Sequence, residues 1–388
     1  MNVSRSKMDE QHGDFCPVSP RKDWTVRLLR IIWGLVIFTG GVFLGLSVSS
    51  RSSQYLTTRS NEFFFPAKMY TTNCERERLS IRNFVHPKYL LHNLTDEELF
   101  WRATLVPQME GYPYKRVPKV AFLFLTRGPL PFAPLWDRFF RGHERLYSVY
   151  VHSIPNYKLS VSETSAFYGR QIPSEEVSWG SISLIDSEKR LLANALLDFS
   201  NERFVLLSES CIPVYNFPTI YKYLIHSKHS FVESYDEASP RGRGRYSHHM
   251  YPDIKLRQWR KGSQWFELNR NLAVKIVADY NYYSIFNKYC KPSCYPDEHY
   301  IPTYLHMFHD KWNAKRSVTW VDWSRDGPHP ATYGGENVTV MFIQSIRNNG
   351  SICTYNNEPT SLCYLFARKF APNALQTLLN LTSEVMKF

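Results

Sequence analysis

The sequence has little of what marks a non-globular protein. Its 388 residues show no internal repeat, include only 17 glycines, and are 43% hydrophobic and 21% charged. These values exclude wholesale disorder, a collagen-like repeat and a multi-pass membrane protein. The length fits one large domain or two of moderate size.

Acidic residues are fewer than basic ones, and this imbalance indicates the kind of partner. There are 35 Asp+Glu against 47 Lys+Arg, which gives a net charge of +12. A basic excess predicts an anionic partner: a nucleic acid, an anionic lipid or a phosphorylated small molecule. The 25 tyrosines, 25 phenylalanines and 10 tryptophans suit a large core and also surfaces that stack on sugars.

Charge is absent from Ile31–Val48, a run of 18 residues. A helix of this length spans roughly 27 Å, which is enough for a thin membrane. Basic residues crowd its N-terminal side and only Arg51 lies close to its other side, so the N-terminus is expected in the cytosol. A cleaved signal peptide fits less well, because a 30-residue leader precedes the run and no Ala-x-Ala site follows it. We predict a cytosolic tail over residues 1–30, a type II signal anchor over 31–50 and a lumenal remainder.

The predicted lumenal part has features of the secretory pathway. Six cysteines follow the anchor, an even number that suits disulfides in an oxidising compartment. The short loop between Cys353 and Cys363 favours a disulfide between them. Cys290 and Cys294 could form a disulfide or bind zinc, and the zinc site is the less favoured alternative because no matching second pair of ligands follows. The other pairings stay open. Four sequons predict N-glycosylation at Asn93, Asn337, Asn349 and Asn380.

A lumenal location narrows the choice of anionic partner. The residues after position 50 carry a net charge of +10, because residues 1–50 hold six Lys+Arg and four Asp+Glu. A lumenal protein meets no chromosomal DNA, so no nucleic-acid partner is expected. Phosphate reaches this compartment chiefly as nucleotide sugars. The predicted partner is therefore a sugar nucleotide or an acidic glycan.

Hydrophobic patterning predicts a stem over residues 51–115 and an α/β domain over 116–388. Continuous apolar runs of strand length alternate with segments whose apolar residues recur at the 3.6-residue period of a helix. This alternation predicts an open, mostly parallel, twisted sheet flanked by helices. Ligands of such sheets bind beyond the carboxyl ends of the strands. The predicted helix near Leu191 has Asp186 and Ser187 as candidate caps. Strands are predicted at 120–126, 146–152, 204–208, 230–234 and 264–268, and helices near 96–105, 135–140, 191–199, 218–227, 272–280 and 298–308.

Three segments of this domain contain candidate catalytic or binding residues. In Tyr295–Tyr300 (YPDEHY), a carboxylate at a helix N-terminus can act as a general base, although Asp297 and Glu298 can equally serve only as helix caps. In Leu365–Phe370 (LFARKF), two cations between apolar anchors can neutralise a diphosphate, or form an ordinary surface pair. Ser239–Arg245 (SPRGRGR) reads as a mobile basic loop. The chain contains no Asp-x-Asp triplet, the usual Mg²⁺ or Mn²⁺ ligand of sugar-nucleotide enzymes, so Lys and Arg would have to hold the phosphates.

Several segments together, in order, resemble the core-2/I-branching β-1,6-N-acetylglucosaminyltransferase family, and most closely its plant-type branch. The resemblance covers roughly residues 116–388. It implies a GT-A-like α/β fold, inversion of the anomeric carbon and catalysis without a metal or other cofactor. The segments that carry it are FVLLSESCIP at 204–213, GSQWF at 262–266, PDEH at 296–299 and LFARKF at 365–370.

The resemblance also implies roles for residues on the donor side. Glu298 matches the family's catalytic base, and Lys369 matches the lysine that neutralises the donor diphosphate. The family's second phosphate ligand is an arginine, and strict alignment places Gly350 there. Arg347 is therefore the shifted candidate, with Arg368 as an additional one.

Nucleotide and acceptor contacts follow from the same resemblance. Thr126 and His152, at the ends of the first two strands, fall at the nucleotide site, although the family has an aspartate where His152 stands. Cys211 likewise stands where animal members have an aspartate. These two departures leave the nucleotide contacts and the sugar specificity uncertain. The expected acceptor-binding residues are Glu233, Arg241, Arg245 and Trp265.

These observations predict a single-pass type II Golgi membrane glycosyltransferase. It is expected to move a GlcNAc-, xylose- or glucuronic-acid-like sugar from a UDP-sugar to a hydroxyl of a glycan or glycoprotein. Two alternatives stay open: a catalytically inactive, sugar-binding or scaffolding relative, and a metal-dependent glycosyltransferase of another family. A homo-oligomer is compatible with the sequence but not required by it.

Overall fold

A computed structural model describes residues 24–63, 89–105, 116–291, 294–325, 327–348 and 350–388. The chain divides into two compact units, Met1–Glu77 and Arg78–Phe388. The described part of the first unit is one long helix, α1 (Trp24–Phe63). Within it, Leu28–Val48 is long and apolar enough to cross a membrane, a test that a signal sequence also passes. The side chains of Leu28–Val48 are exposed, as a lipid-facing helix requires.

The second unit is an α/β domain, which confirms the predicted fold class. Its strands are β1 (Lys119–Leu125), β2 (Tyr147–His152), β3 (Asn201–Ser208), β4 (Ile212–Pro213), β5 (Glu267–Asn269), β6 (Thr319–Val321), β7 (Cys353–Tyr355), β8 (Glu358–Thr360) and β9 (Phe366–Arg368). Its α-helices are α2 (Asp96–Leu105), α3 (Ala133–Phe140), α4 (Ser183–Leu196), α5 (Phe217–Ile225), α6 (Arg270–Ala278), α7 (Asn281–Tyr289), α8 (Pro296–Phe308), α9 (Val340–Arg347) and α10 (Leu375–Leu381). Short 3₁₀ turns and a π-helical turn complete it at Arg243–Arg245, His248–Met250, Leu256–Gln258, Asp310–Trp312, Gly335–Asn337, Pro372–Ala374 and Thr382–Met386.

The main sheet has the strand order β2-β1-β3-β5. Strand β1 runs parallel to β2 and β3, and β5 pairs antiparallel with β3. A second sheet has the order β4-β9-β6, in which β9 runs parallel to β6 and antiparallel to β4. Strands β7 and β8 form a separate hairpin.

Helices cover both faces of the main sheet, because β1 is apolar at every position along its middle. Phe122 and Phe124 pack on one face with Trp136 of α3, whereas Ala121 and Leu123 pack on the other with α4 and α6. This double burial is why the strand lacks the alternation of a half-exposed strand. A buried ion pair between Arg203 of β3 and Glu267 of β5, at 2.6 Å, ties the antiparallel edge strand to the sheet.

The structure differs from the sequence predictions in local detail. The cap prediction for α4 is wrong: the helix begins at Ser183, and Asp186 and Ser187 lie within its first turns. Asp186 instead accepts a hydrogen bond from the Tyr283 hydroxyl at 2.6 Å. The strand predicted at 230–234 is reduced to isolated bridges at Ser230 and Phe231, and the structure adds α7, which was not predicted.

The segment assigned to the stem contains part of the α/β unit. Helix α2 buries Leu99 and Ala103 in the core beneath α4 and α6. Arg190 of α4 binds Asp96 at the start of α2 through two hydrogen bonds of 2.6 and 2.7 Å. The described residues 89–105, which the prediction assigned to the stem, therefore belong to this compact unit.

The cysteines of the α/β unit form two local disulfides. Cys353 pairs with Cys363 across the β7–β8 hairpin, which confirms the pair favoured by the short loop. Cys290 pairs with Cys294, so these two thiols are not zinc ligands. Cys211 is a free, buried thiol. Cys16 and Cys74 lie outside the described residues.

Candidate active site

A cleft of about 790 Å³ opens at the carboxyl ends of the parallel strands. Thr126, directly after β1, His152, the last residue of β2, and Ser208, the last residue of β3, all line it. Arg368, the last residue of β9, lines the same cleft. This is where an open parallel sheet places its ligand, as the sequence predicts.

Glu298 lies in the first turn of α8 and lines this cleft. Pro296 starts the helix after Tyr295, which has a left-handed backbone with φ 53°. The Glu298 side chain is 26% exposed, so it is reachable from the cleft and still held by the helix.

Gly262 fixes the backbone around Glu298. Its N–H donates to the Glu298 carbonyl oxygen at 2.8 Å. A Cβ at position 262 would lie 2.0 Å from the carbonyl oxygen of Glu233, so only glycine fits between these two segments. The contact brings Glu233 into the cleft beside Glu298, and burial raises the pKa of the Glu233 carboxyl.

Two cations flank the Glu298 carboxylate. The Arg245 guanidinium donates to its Oε2 at 2.6 Å, and the Lys261 ammonium lies 3.7 Å from the same atom. Arg245 also lies over the Tyr295 ring, 4.1 Å from its centroid. Burial lowers the pKa of Lys261, but Glu298, Tyr235 and Glu237 together outweigh burial, so the pKa of Lys261 is raised. Each cation on this side of the cleft therefore has an anionic partner.

Arg368 and Lys369 form a second basic group in the lining of the cleft. The Arg368 guanidinium stacks on the Trp265 ring, 4.0 Å from its centroid, and its Nε has no hydrogen-bond partner. Burial lowers the pKa of Lys369, and the adjacent Arg368 lowers it further, whereas Glu209 opposes this shift. Trp265 is only 8% exposed, and Arg368 covers its ring, so the ring is a support for Arg368.

A pair of buried carboxyls lies beneath the base. Asp297 lines the cleft, is 7% exposed, and its Oδ1 has no hydrogen-bond partner. Burial and the charge of Glu298 raise the pKa of Asp297 to about 7. Glu188 of α4 lies behind it, accepts a hydrogen bond from Gln264 at 2.9 Å, and has a pKa raised by burial.

The predicted nucleotide contacts also lie in the cleft. The Thr126 N–H donates to the His152 carbonyl oxygen at 2.9 Å, which joins the ends of β1 and β2. The His152 ring is buried, and its Nδ1 has no partner. Burial lowers the pKa of His152 to about 3, so the ring is neutral at physiological pH.

The structure brings together most of the predicted site residues, but not all. Two are placed elsewhere. Arg347 donates to the carbonyl oxygen of Val385, lies 4.0 Å from the Tyr215 ring centroid and is not among the residues that line the cleft. Arg241 is exposed and does not line the cleft, although its loop neighbour Arg245 reaches Glu298. The predicted residues that line the cleft are Thr126, His152, Glu233, Trp265, Glu298, Arg368 and Lys369.

Sequence reasoning missed several cleft residues. Arg127 is the second residue after β1, so the rule that ligands bind beyond carboxyl ends would have found it. Lys261 and Gln264 adjoin or lie within the GSQWF segment, but no local pattern marks them as cleft residues. Trp179, which is 53% exposed at the cleft, comes from a loop that carried no recognisable motif.

Three of the four sequons lie on described residues, and each asparagine is exposed: Asn93, Asn337 and Asn380. Exposure is necessary for glycosylation, and the modification itself stays a prediction. Asn349 lies outside the described residues. Over the part of the chain that the structure describes, no group of three His, Cys, Asp or Glu side chains is placed to hold a metal ion.

Two comparisons with known proteins match a large part of this chain. A family model described as Core-2/I-Branching enzyme matches residues 120–347, more than half of the chain. The chain is also 38% identical over 310 residues to "Glycosyltransferase BC10" of Oryza sativa subsp. japonica. That alignment covers 68% of this chain and 76% of the rice protein.

Proposed function

This chain belongs to the Core-2/I-Branching enzyme family of glycosyltransferases, and from that premise we propose an inverting, metal-independent transfer from a UDP-sugar to a glycan or glycoprotein hydroxyl. The observation that carries the proposal is the cleft itself. Its lining combines a carboxylate, Glu298, with two cations, Arg368 and Lys369. A donor placed between them has its diphosphate near the cations and its anomeric carbon facing the base.

In the proposed reaction, Glu298 accepts the proton of the acceptor hydroxyl as the acceptor oxygen attacks the anomeric carbon. The attack comes from the face opposite the leaving group. The new bond between the acceptor oxygen and the anomeric carbon forms as the bond from that carbon to the diphosphate oxygen breaks. The configuration inverts, UDP leaves with the bonding electron pair, and the proton stays on Glu298.

Charge develops on UDP as it leaves, and the proposal assigns its stabilisation to Lys369 and Arg368. Lys369 provides a compact ammonium at the cleft surface. Arg368 is held in place by its stacking on Trp265, so its position costs little reorganisation during the reaction. Arg347 has no part in this step, because it lies against Tyr215 instead.

The nucleotide is proposed to lie at the ends of β1 and β2, against Thr126 and His152. His152 is neutral, so it contributes a hydrogen bond rather than a charge. Glu233, which lines the cleft, and Arg245, which binds Glu298, are proposed to contact the acceptor. The donor sugar is proposed to be GlcNAc-, xylose- or glucuronic-acid-like.

A second candidate function is sugar binding without transfer. One observation favours it: Arg245 binds the Glu298 carboxylate at 2.6 Å, so the base is occupied when no substrate is bound. In an enzyme, the acceptor must displace this contact or share the carboxylate with it. A lumenal relative that only binds glycans would keep the contact permanently.

A screen of the purified full-length chain against UDP-sugars tests the proposal. UDP release is measured with and without glycan acceptors, each in the presence and absence of EDTA. Release that depends on an acceptor and survives EDTA supports it. Activity lost with EDTA and restored by Mn²⁺ would show that basic side chains alone do not hold the phosphates. Nucleotide-sugar binding without release under any acceptor would favour the second candidate.

We also propose that the protein is a single-pass type II protein of the Golgi membrane, with the α/β unit in the lumen. The apolar segment Leu28–Val48 and its basic N-terminal flank support this topology. Protease added to intact microsomes should spare all residues after position 50, and a glycosidase should change the mobility of the protein. Digestion of the α/β unit in intact vesicles would contradict the proposal.

A further inference from the structure

The phosphate side of the cleft has one more cation, Arg127, with no role in the mechanism so far. It follows β1 by two residues and lines the cleft. Its backbone is held by a tight turn, in which the Thr126 hydroxyl donates to the Gly128 carbonyl oxygen at 3.0 Å and lies 3.2 Å from the Gly128 nitrogen. The position of residue 127 at the end of the sheet is therefore well defined.

The Arg127 side chain, unlike its backbone, is left without a protein partner. It is exposed, and within the described residues it makes no hydrogen bond or ion pair. Most arginines near this cleft are engaged: Arg245 binds Glu298, and Arg368 stacks on Trp265. A guanidinium has five N–H donors in a planar fork, a geometry that suits phosphate oxygens.

Arg127 lies close enough to Lys369 for their charges to interact. Burial and the neighbouring Arg368 lower the pKa of Lys369, and the positive charge of Arg127 makes a smaller contribution in the same direction. Glu209 is the carboxylate that opposes these cations. Three cations thus face one carboxylate at this end of the cleft, and the surplus charge suits an anion with more than one negative charge.

The positions of the three cations in the fold also favour a diphosphate as the ligand. Arg127 comes from the end of β1, whereas Arg368 and Lys369 come from the end of β9, so the cations approach the cleft from separate sheets. A diphosphate between them would be bound from two directions. Arg347 does not bind the diphosphate from this second side in the proposed site, because its guanidinium donates to the Val385 carbonyl oxygen.

We propose that Arg127 is a phosphate-binding residue, and that its guanidinium holds the diphosphate of the UDP-sugar opposite Lys369. This inference rests on the proposed function and names the residue that completes its phosphate site. It predicts that Arg127 contributes to the binding of UDP through the phosphates and contributes nothing to the binding of the nucleoside.

Calorimetry of UDP and uridine with the full-length chain in detergent tests the inference. Arg127→Gln should weaken UDP binding by roughly tenfold or more, as loss of a charge-assisted contact predicts, and should change uridine binding by less than about twofold. Arg127→Lys should retain part of the UDP affinity, because it keeps the charge without the planar fork. The matched control is Arg145→Gln, which removes an exposed arginine outside the cleft and should change neither affinity.

Three results are informative in different ways. Unchanged UDP affinity in Arg127→Gln would overturn the inference and leave the proposed function intact. An equal loss of UDP and uridine affinity, with a normal melting temperature, would also overturn it, because the contact would then be to the nucleoside. Failure of the unaltered protein to bind UDP would instead overturn the proposed function, on which this inference rests.

Discussion

The cleft has two groups of basic side chains, one around Glu298 (the base side) and one around Lys369 (the phosphate side). The two groups are paired with carboxylates in different ways. On the base side, Arg245 and Lys261 lie within 4 Å of Glu298, and Lys261 is also 4.0 Å from Glu237. On the phosphate side, Arg127, Arg368 and Lys369 lie near one another, and Glu209 is the carboxylate among the described residues that offsets the charge around Lys369. The base side is therefore close to neutral, and the phosphate side keeps a positive surplus.

This difference separates cations that position a protein group from cations that await a ligand. A cation paired with Glu298 orients the carboxylate, and the charge of that cation is already compensated. An uncompensated cation in a partly buried cleft is costly unless an anion binds there. Net charge alone did not distinguish these two uses of lysine and arginine in the sequence.

The largest effect is expected from Glu298→Gln. The substitution keeps the size of the side chain and removes its basicity, so kcat should fall by roughly 10²–10⁴ while UDP affinity is largely kept. Steady-state rates beside UDP calorimetry measure the two quantities. Near-normal turnover in Glu298→Gln would leave Glu298 as a helix cap, and Glu233 or Glu209 would be the next candidate base.

A second prediction concerns the pH dependence of stability. Asp297 has a pKa raised to about 7, so the folded protein binds this proton more tightly than the unfolded chain does. Its contribution to the free energy of unfolding therefore falls as pH rises from about 4 to about 7. Asp297→Asn removes this dependence. The melting temperature of Asp297→Asn minus that of the unaltered protein should therefore be larger at about pH 7.5 than at about pH 5.

The control for this prediction is Asp322→Asn. The Tyr333 hydroxyl binds the Asp322 carboxylate and lowers its pKa, so Asp322 titrates below the tested range. Its melting-temperature difference should be the same at both pH values. An equally constant difference for Asp297→Asn would show that Asp297 is ionised throughout this range.

The smallest effect is expected at the rim of the cleft. Trp179 is 53% exposed, and its ring lies 5.1 Å from Tyr295, next to the base-bearing helix. If a sugar ring of the acceptor stacks on it, Trp179→Ala should raise the acceptor KM by roughly two- to tenfold and leave UDP affinity unchanged. Trp312→Ala, at a 48% exposed tryptophan outside the cleft, should do neither. Equal effects in both variants would remove Trp179 from the acceptor site.

The features that were predictable from the sequence are those with a local cause. The apolar run of β1 predicts a strand buried on both faces, and the position of His152 at the end of β2 follows from the same pattern. The start of α4 was not predictable from Asp186 and Ser187, because no side chain caps this helix at Ile182. Burial on one face, rather than a cap, sets its beginning.

The contacts that build the site are not local. Arg245 and Glu298 are 53 residues apart, and nothing in either segment specifies that they meet. Gly262 fits between Glu233 and Glu298 only because three separate segments converge there. The resemblance to a family points to Glu298 and Lys369, which line the cleft, and also to Arg347, which contacts Tyr215 and Val385 instead.

The central claim is that compensated and uncompensated cations in this cleft have separate functions. UDP calorimetry on Lys369→Ala and Arg245→Ala tests it most directly, because each variant removes one cation from one side. Lys369→Ala should weaken UDP binding by about tenfold or more, whereas Arg245→Ala should change it by less than about twofold. A loss of UDP affinity in Arg245→Ala as large as that in Lys369→Ala would contradict the account.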